Sequence, residues 1–311
     1  MTESYVIVGA GPVGRHTAEL LRDRGDQVTV VTRSGRGVVD GVRSVAADAA
    51  DSSALSEVVD GAAALFNCAN PGDYTRWQQA WPPLAQSLLT TAERTGALLA
   101  VTSNLYPYGP TTAPMVEGQP DVATDHKGRL RAEMWAGAKA RYDAGRIRMV
   151  EVRGSDYVGA GVGENGHVTR HVSAAIRGKT AWVIGKADQP HTWTDVADVA
   201  RTLVAVADRS NVWGRVWHVP SNEPRTQRQA LTDVLAVGGY EPVAARAIPM
   251  PVLRGLAKVN PLMREIAELS YMWTRPYVLD SSLTQQTLDL RPTPWDEVCR
   301  RTLDGNRGVS A

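Results

Sequence analysis

The sequence has little of several things, and each scarcity excludes something. It holds two cysteines, Cys68 and Cys299, which give no disulfide framework. No His/Cys/Asp spacing has the form of a metal site, so no metal is expected. Neither sign of charge is in excess: 34 Lys+Arg against 33 Asp+Glu leave a formal net charge of +1. The overall balance therefore points neither to nucleic acid nor to an anionic membrane. No apolar run approaches the length of a membrane span. The opening stretch MTESYVIVGAG lacks the basic region and long apolar core of a signal peptide. These absences lead to the expectation of a reducing, cytoplasmic setting. No Gly-x-Ser-x-Gly elbow suggests a hydrolase. Lysine occurs five times against 29 arginines, and phenylalanine once, at Phe66, against nine tryptophans and nine tyrosines. Most of those rings are expected to fill core space, and some to line a pocket.

What is present is a rhythm. The 311 residues, 43% apolar and 22% charged, have the composition of a globular protein with a substantial core. Tyr5 to Val8 is a short β-rich run ending in glycines. Arg15 to Arg24 reads as a helix stopped by Gly25, and Gln27 to Thr32 as a second strand. Strand, glycine turn, helix and strand in about 30 residues form a βαβ unit, with parallel strands and a right-handed crossover. The alternation continues through candidate strands at 42–46, 64–69, 98–102 and 148–152, and candidate helices at 53–59, 84–94 and 128–144. This predicts an α/β fold, a doubly wound parallel sheet covered by helices on both faces. After residue 153 the pattern loosens. Segment 154–166 reads as a glycine-rich loop, 168–176 and 195–206 as helices, and 216–220 as a strand.

GAGPVG places Gly9, Gly11 and Gly14 in G-x-G-x-x-G spacing between the first strand and the first helix. The first glycine permits a tight turn, the second a close backbone approach to a pyrophosphate, and the third close helix–strand packing. The helix N-terminus, with Pro12 near its start and Val13 beside it, favours the negative charge of the pyrophosphate. An NAD site usually has an acid at the end of the second strand. Here Thr32, Arg33, Ser34, Gly35 and Arg36 stand there, and the first acid is Asp40. Arginine and hydroxyls suit a 2′-phosphate, so NADP is the expected cofactor, with NAD the alternative.

With these features the sequence resembles the extended or atypical short-chain dehydrogenase/reductase superfamily, in the NAD-dependent epimerase/dehydratase group. The resemblance rests on GAGPVG, on Asp48, and on NCANP at 67–71. It also rests on TSNLYPYG at 102–109, RGSDYVGAG at 153–161 and PHTWTDVADVART at 190–202. It implies a Rossmann-type dinucleotide-binding domain at 1–153, completed by about 190–220. A smaller, mostly C-terminal substrate lobe follows at 154–189 and 221–311. It implies that Asp48 contacts the adenine, that Ala69, Asn70 and Pro71 lie along the cofactor, and that Ser155, Asp156 and Tyr157 approach the nicotinamide. A homodimer through two helices of the nucleotide domain is common in that group.

One thing the resemblance calls for is missing. Members that transfer hydride usually carry a serine and then Tyr-x-x-x-Lys on the next helix, the tyrosine moving the substrate's hydroxyl proton and the lysine holding the ribose. No Tyr-x-x-x-Lys occurs between residues 100 and 150. Registering on Glu133 puts Asp125 and Arg129 in those places, and registering on Lys127 puts Ala123 in the tyrosine's. Ser103 and Asn104 fall where the serine belongs. Tyr106 or His126 are candidate proton donors, and Lys127 a candidate ribose ligand. Tyr108 and His191 are expected to be structural. The leading expectation is an NADP-dependent oxidoreductase passing hydride to or from a small, partly apolar carbonyl, imine or activated alkene. A dinucleotide-binding sensor without turnover and a sugar epimerase/dehydratase-like enzyme are the alternatives. The expected partner is a small molecule.

Overall fold

The computed structural model describes residues 2–37 and 39–307. Met1, Val38 and residues 308–311, which fall inside the expected domain ranges, lie outside the described residues. In chain order the first half runs β1 (Ser4–Val8), α1 (Pro12–Asp23), β2 (Gln27–Thr32), β3 (Arg43–Ala46), α2 (Ser52–Val59), β4 (Ala64–Asn67), α3 (Trp77–Thr95), β5 (Leu98–Asn104), α4 (His126–Asp143) and β6 (Met149–Gly154). There follow β7 (Asp156–Val158), α5 (Thr169–Ile176), β8 (Ala181–Ile184), β9 (Trp193–Asp195), α6 (Val196–Ala207) and β10 (Val216–His218). The chain ends with α7 (Gln227–Ala236), β11 (Ala245–Ile248), α8 (Met250–Leu256), α9 (Pro261–Glu268), α10 (Tyr271–Thr274), α11 (Ser282–Leu288) and α12 (Trp295–Arg307).

Seven strands form one sheet in the order β10-β6-β5-β4-β1-β2-β3, every pair parallel. The order reverses beside β1, which opens a crevice at the carboxyl ends of β1 and β4. Alternation along the strands splits the core in two. Val6, Val8, Leu65, Leu99 and Met149 face the layer of α2, α3 and α4. Tyr5, Ile7, Phe66, Ala100 and Val150 face α1 and α6. The doubly wound expectation is therefore met. A third core, built by α5, α7, α12, β8 and β11, is separate from the sheet; it is the heart of the smaller, mostly C-terminal lobe. Residues Leu269 to Leu279 instead join the α3–α4 core.

Two local differences from the sequence reading have clear causes. Helix α3 starts at Trp77, not Leu84, and carries Pro82 and Pro83 inside it. The prolines each remove a helical donor. Trp77 and Trp81, four apart and each 1% exposed, hold that first stretch against the core. Segment 154–166 is not all loop: Asp156–Val158 pairs in parallel with Trp193–Asp195, and this pairing sets Asp156 beside the residues that follow His191.

Candidate active site

Two glycines of the turn have no room for a side chain. Gly9, at φ +100°, would set a Cβ 2.7 Å from the Ala69 nitrogen, and Gly14 would set one 2.1 Å from the Gly9 carbonyl oxygen. Turn, helix and β4 end are thus in direct contact. A Cβ on Gly11 would meet only open space, so that side of the turn faces the crevice. Gly11 is the N-cap of α1, Pro12 follows it, and no side chain caps the helix. Its first N–H groups are available to an anion. Val13 is buried behind them.

From the turn the crevice runs along the strand ends. The Cys68 sulfur lies 3.8 Å from the Thr102 hydroxyl at the end of β5, and Ser103 is buried next to it. Opposite stands Arg131. Its Nη2 donates to Ser103 Oγ at 2.8 Å and to the Thr102 carbonyl at 3.2 Å, and the guanidinium stacks on Trp81, 4.4 Å from the ring centre. Its Nε and Nη1 are buried and have no partner. Burial lowers its pKa from the usual guanidinium value, opposed by the Glu151 carboxylate. Tyr157 closes the group, its hydroxyl donating to the Ser103 carbonyl at 3.2 Å. The Ser155 hydroxyl and the Asn67 amide nitrogen are also buried without partners.

Next to this group lies an aromatic cluster around one carboxylate. The Asp156 side chain accepts from Trp273 Nε1 at 3.1 Å and lies 3.0 Å from His191 Nε2 and 3.9 Å from His167 Nε2. Burial would raise this carboxyl, but the two imidazoles and the Trp273 hydrogen bond outweigh it and hold it below the usual carboxylate range. Burial pushes His167 down to about 4, so it is neutral at pH 7. Tyr74 and Tyr106 share a hydrogen bond at 3.0 Å. Burial, followed by the charges of Tyr74 and Asp156, raises the Tyr106 phenol well above its ordinary value.

The helix register decides which cations reach the site. Arg129 and Glu133 face solvent. Lys127 and Arg131, one turn apart, share the inner face of α4 with Ala138. Arg131, not Arg129, stands beside Ser103, and Lys127 stands one turn before it. Lys127 is fully buried and pairs with Glu265 and, at 2.9 Å, with Glu268 of α9. His126 pairs with the same two carboxylates, Nδ1 lying 2.5 Å from Glu268 and Nε2 3.2 Å from Glu265. His126, Glu265 and Glu268 lie close enough to share a metal ion, but the ammonium of Lys127 stands among the carboxylates.

Other expected residues take these positions. Asn104 accepts from the Tyr106 N–H at 3.1 Å and shapes the turn. Tyr108 donates to His218 Nε2 at 2.8 Å, because His218 Nδ1 is committed to the Asp280 carbonyl; both are structural, as expected of Tyr108. His191 is buried between Trp193 and Tyr277. Thr32 Oγ1 accepts from the Gly35 N–H and Ser34 Oγ from the Arg36 N–H, while Arg33 and Arg36 are exposed. Asp48 is exposed and accepts from the Ala50 N–H. Asn70 is exposed beside Ala69, and the Pro71 carbonyl accepts from Trp77 Nε1. The sequence reading missed Arg131, Tyr74, His167 and Trp273. For Arg131 a signal was present: Lys127 and Arg131 repeat the four-residue spacing of Tyr-x-x-x-Lys.

Residues 5–219 match the model of the NAD dependent epimerase/dehydratase family. The chain belongs to this family. A search of the curated proteins found no significant match. Among solved structures, MoeE5 in complex with UDP-glucose and NAD is 19% identical, with 99% of this chain and 100% of that one covered at a TM-score of 0.81. UDP-glucose 4-epimerase of Thermotoga maritima is 16% identical over 99% and 100% of the chains, TM-score 0.79. UDP-glucuronic acid 4-epimerase of Bacillus cereus, in complex with NAD, is 13% identical over 99% and 100%, TM-score 0.80. At these identities the likeness establishes the epimerase-type fold over the whole chain. The family's enzymes work with a nicotinamide dinucleotide, and the glycine turn stands where this fold binds one.

Proposed function

We propose that this epimerase/dehydratase-family enzyme binds a nicotinamide dinucleotide along Gly9, Gly11, Gly14 and Ala69. Hydride exchange then takes place with a hydroxyl- or carbonyl-bearing small molecule held beside Asp156. The observation that carries this reading is Arg131, a buried guanidinium with two unpartnered nitrogens, Nε and Nη1, in the same crevice as the glycine turn. Buried donors without partners are costly unless a ligand satisfies them. With Ser155 and Asn67, they fit the hydroxyl and amide groups of a nucleotide's far end. The bound coenzyme supplies the hydride chemistry; the protein supplies position and protons. Arg131 would hold the nicotinamide end, with Ser103 and Tyr157 fixing the strand edge behind it. Tyr106, kept protonated by burial, is suited to give a hydrogen bond to a substrate oxygen and not to act as a base. Exposed Arg33 and Arg36, with no acid at the end of β2, support NADP over NAD. The segments 154–189 and 221–311 would form the substrate side.

The bound UDP-sugars of the neighbouring structures favour a second reading, sugar-nucleotide epimerisation. Against it stands Asp156, an ionised and largely buried carboxylate that would repel a diphosphate. The rings of Tyr74, Tyr106 and Trp273 favour a partly apolar substrate instead. Fluorescence titration with NADPH and NADH tests the first step. Mixing the loaded enzyme with UDP-glucose and with a panel of apolar hydroxy and oxo compounds, while following nicotinamide absorbance, tests the second. Tighter binding of NADPH and turnover within the panel are expected. No binding of either dinucleotide at millimolar concentration overturns the reading.

A further inference from the structure

The even charge balance of the whole chain conceals a segregation. Residues 242–264 carry Arg246, Arg254, Lys258 and Arg264 and no Asp or Glu. Residues 165–187 carry Arg170, Arg177, Lys179 and Lys186 and again no acid. These two stretches meet in space, because β8 and β11 pair in parallel with Trp182 opposite Arg246. Nearby arginines outside them are neutralised, Arg225 by Asp233 and Arg228 by Asp188. Among the described residues, Arg246, Arg254, Lys258 and Arg264 form no ion pair.

The helices that follow β11 are apolar to an unusual degree. Val252 is 50% exposed, Leu256 46%, Val259 83% and Leu262 44%, all within α8, α9 and the turn between them. Trp182 on β8 is 54% exposed. Aliphatic side chains so concentrated in one short hairpin mark an interaction surface. The inner side of the hairpin is firmly held: Glu265 and Glu268 grip Lys127, and Ile266 and Leu269 pack into the α3–α4 core. Its outer side has apolar groups with cations interspersed and no anion.

We propose that α8, α9 and the β8–β11 pair form a docking surface for an anionic lipid bilayer. Aliphatic side chains entering the headgroup region, with lysines and arginines at the phosphate level, are the chemistry of an interfacial anchor. Among the described residues no helix is long and apolar enough to cross a membrane, so the contact is peripheral. A second copy of the chain fits less well, since a two-fold interface would set this cationic face against itself. A nucleic acid would use the cations and leave the aliphatic groups uncovered.

Co-sedimentation with vesicles tests this, comparing phosphatidylglycerol–phosphatidylcholine mixtures with phosphatidylcholine alone. Wild-type protein should partition onto the anionic vesicles and much less onto the neutral ones, and binding should fall as salt rises from about 0.1 M to about 1 M. Lys258→Glu and Arg254→Glu should each lower the partition coefficient about fivefold or more. Val259→Asp should lower it at least as much, with an unchanged melting temperature because the side chain is exposed. Equal binding to both vesicle types, or unaltered binding by all three variants, overturns the proposal. So does a concentration-dependent dimer that Val259→Asp abolishes, which would assign the face to a second copy.

Discussion

Replacing Arg131 with methionine should separate stability from ligand binding. The change removes hydrogen bonds to Ser103 Oγ and the Thr102 carbonyl, each worth about 1.5–3 kcal/mol for a charged donor. It also removes the cation from the face of Trp81, worth about 1–2 kcal/mol in a desolvated setting. Set against this are two buried nitrogens with no partner, each costing about 1–3 kcal/mol, and the desolvation of the charge itself. A methionine sulfur still packs well on the indole. The opposing sums nearly cancel, so the ligand-free protein should change by no more than about 2 kcal/mol in urea unfolding. Dinucleotide affinity should fall at least about 100-fold, the loss of two charge-assisted hydrogen bonds. Arg131→Lys, which keeps one compact charge, should fall between. The reasoning fails if Arg131→Met costs more than about 4 kcal/mol and leaves NADPH binding intact, because Arg131 would then be a structural ion only.

Three further outcomes follow from single contacts. Lys127→Met leaves Glu265, Glu268 and His126 facing one another; it should cost about 2–3 kcal/mol, discounted for the partial exposure of the carboxylates. Zinc should then raise the melting temperature of the variant and not of the wild type; equal responses would refute the idea that the ammonium fills a cation site. Gly14→Ala drives a Cβ to 2.1 Å from the Gly9 carbonyl oxygen, so calorimetry should show a loss of about 2–4 kcal/mol together with loss of NADPH binding. Asp195 is raised from 3.8 to about 6 by burial and then by Asp198. Its folded pKa lies above its unfolded one, so its favourable contribution is complete below about pH 4 and is lost as pH rises through about 6. Asp195→Asn should therefore gain about 2–3 kcal/mol relative to wild type between pH 4 and pH 8, and a pH-independent difference in urea midpoints would count against it.

Much of the nucleotide-binding half was legible because its information is local. A parallel βαβ unit writes strand, glycine turn and helix within one short window, and Gly9 and Gly14 are glycines for reasons of contact that any such turn shares. Ser103 was legible as the end of a buried strand. Helix α3 was read too short because Pro82 and Pro83 are strong local signals against a helix, whereas the burial of Trp77 and Trp81 that overrides them is tertiary. Arg131 was missed for a question of phase. A step of two residues along a helix turns a side chain by about 200°, so choosing Arg129 instead of Arg131 exchanges solvent for the crevice.

The proposed substrate side was least legible because its chemistry is assembled from distant segments. Asp156 meets Trp273 117 residues later, and Lys127 meets Glu265 138 residues later. No spacing rule links such pairs. Each charged member also looks ordinary alone: HKGR reads as a solvated helix start, and the acids of α9 as the polar side of an amphipathic helix. Their burial distinguishes them. A fully buried ammonium requires counter-charges, so a lysine known to lie inside would already imply that two acids from elsewhere reach it. The same reasoning applies in reverse to α8 and α9. Among the described residues the cations of their outer side pair with no carboxylate, and the exposed aliphatic groups Val252, Leu256, Val259 and Leu262 lie outside the core; both deficits are met by one kind of surface, an apolar layer bounded by phosphates.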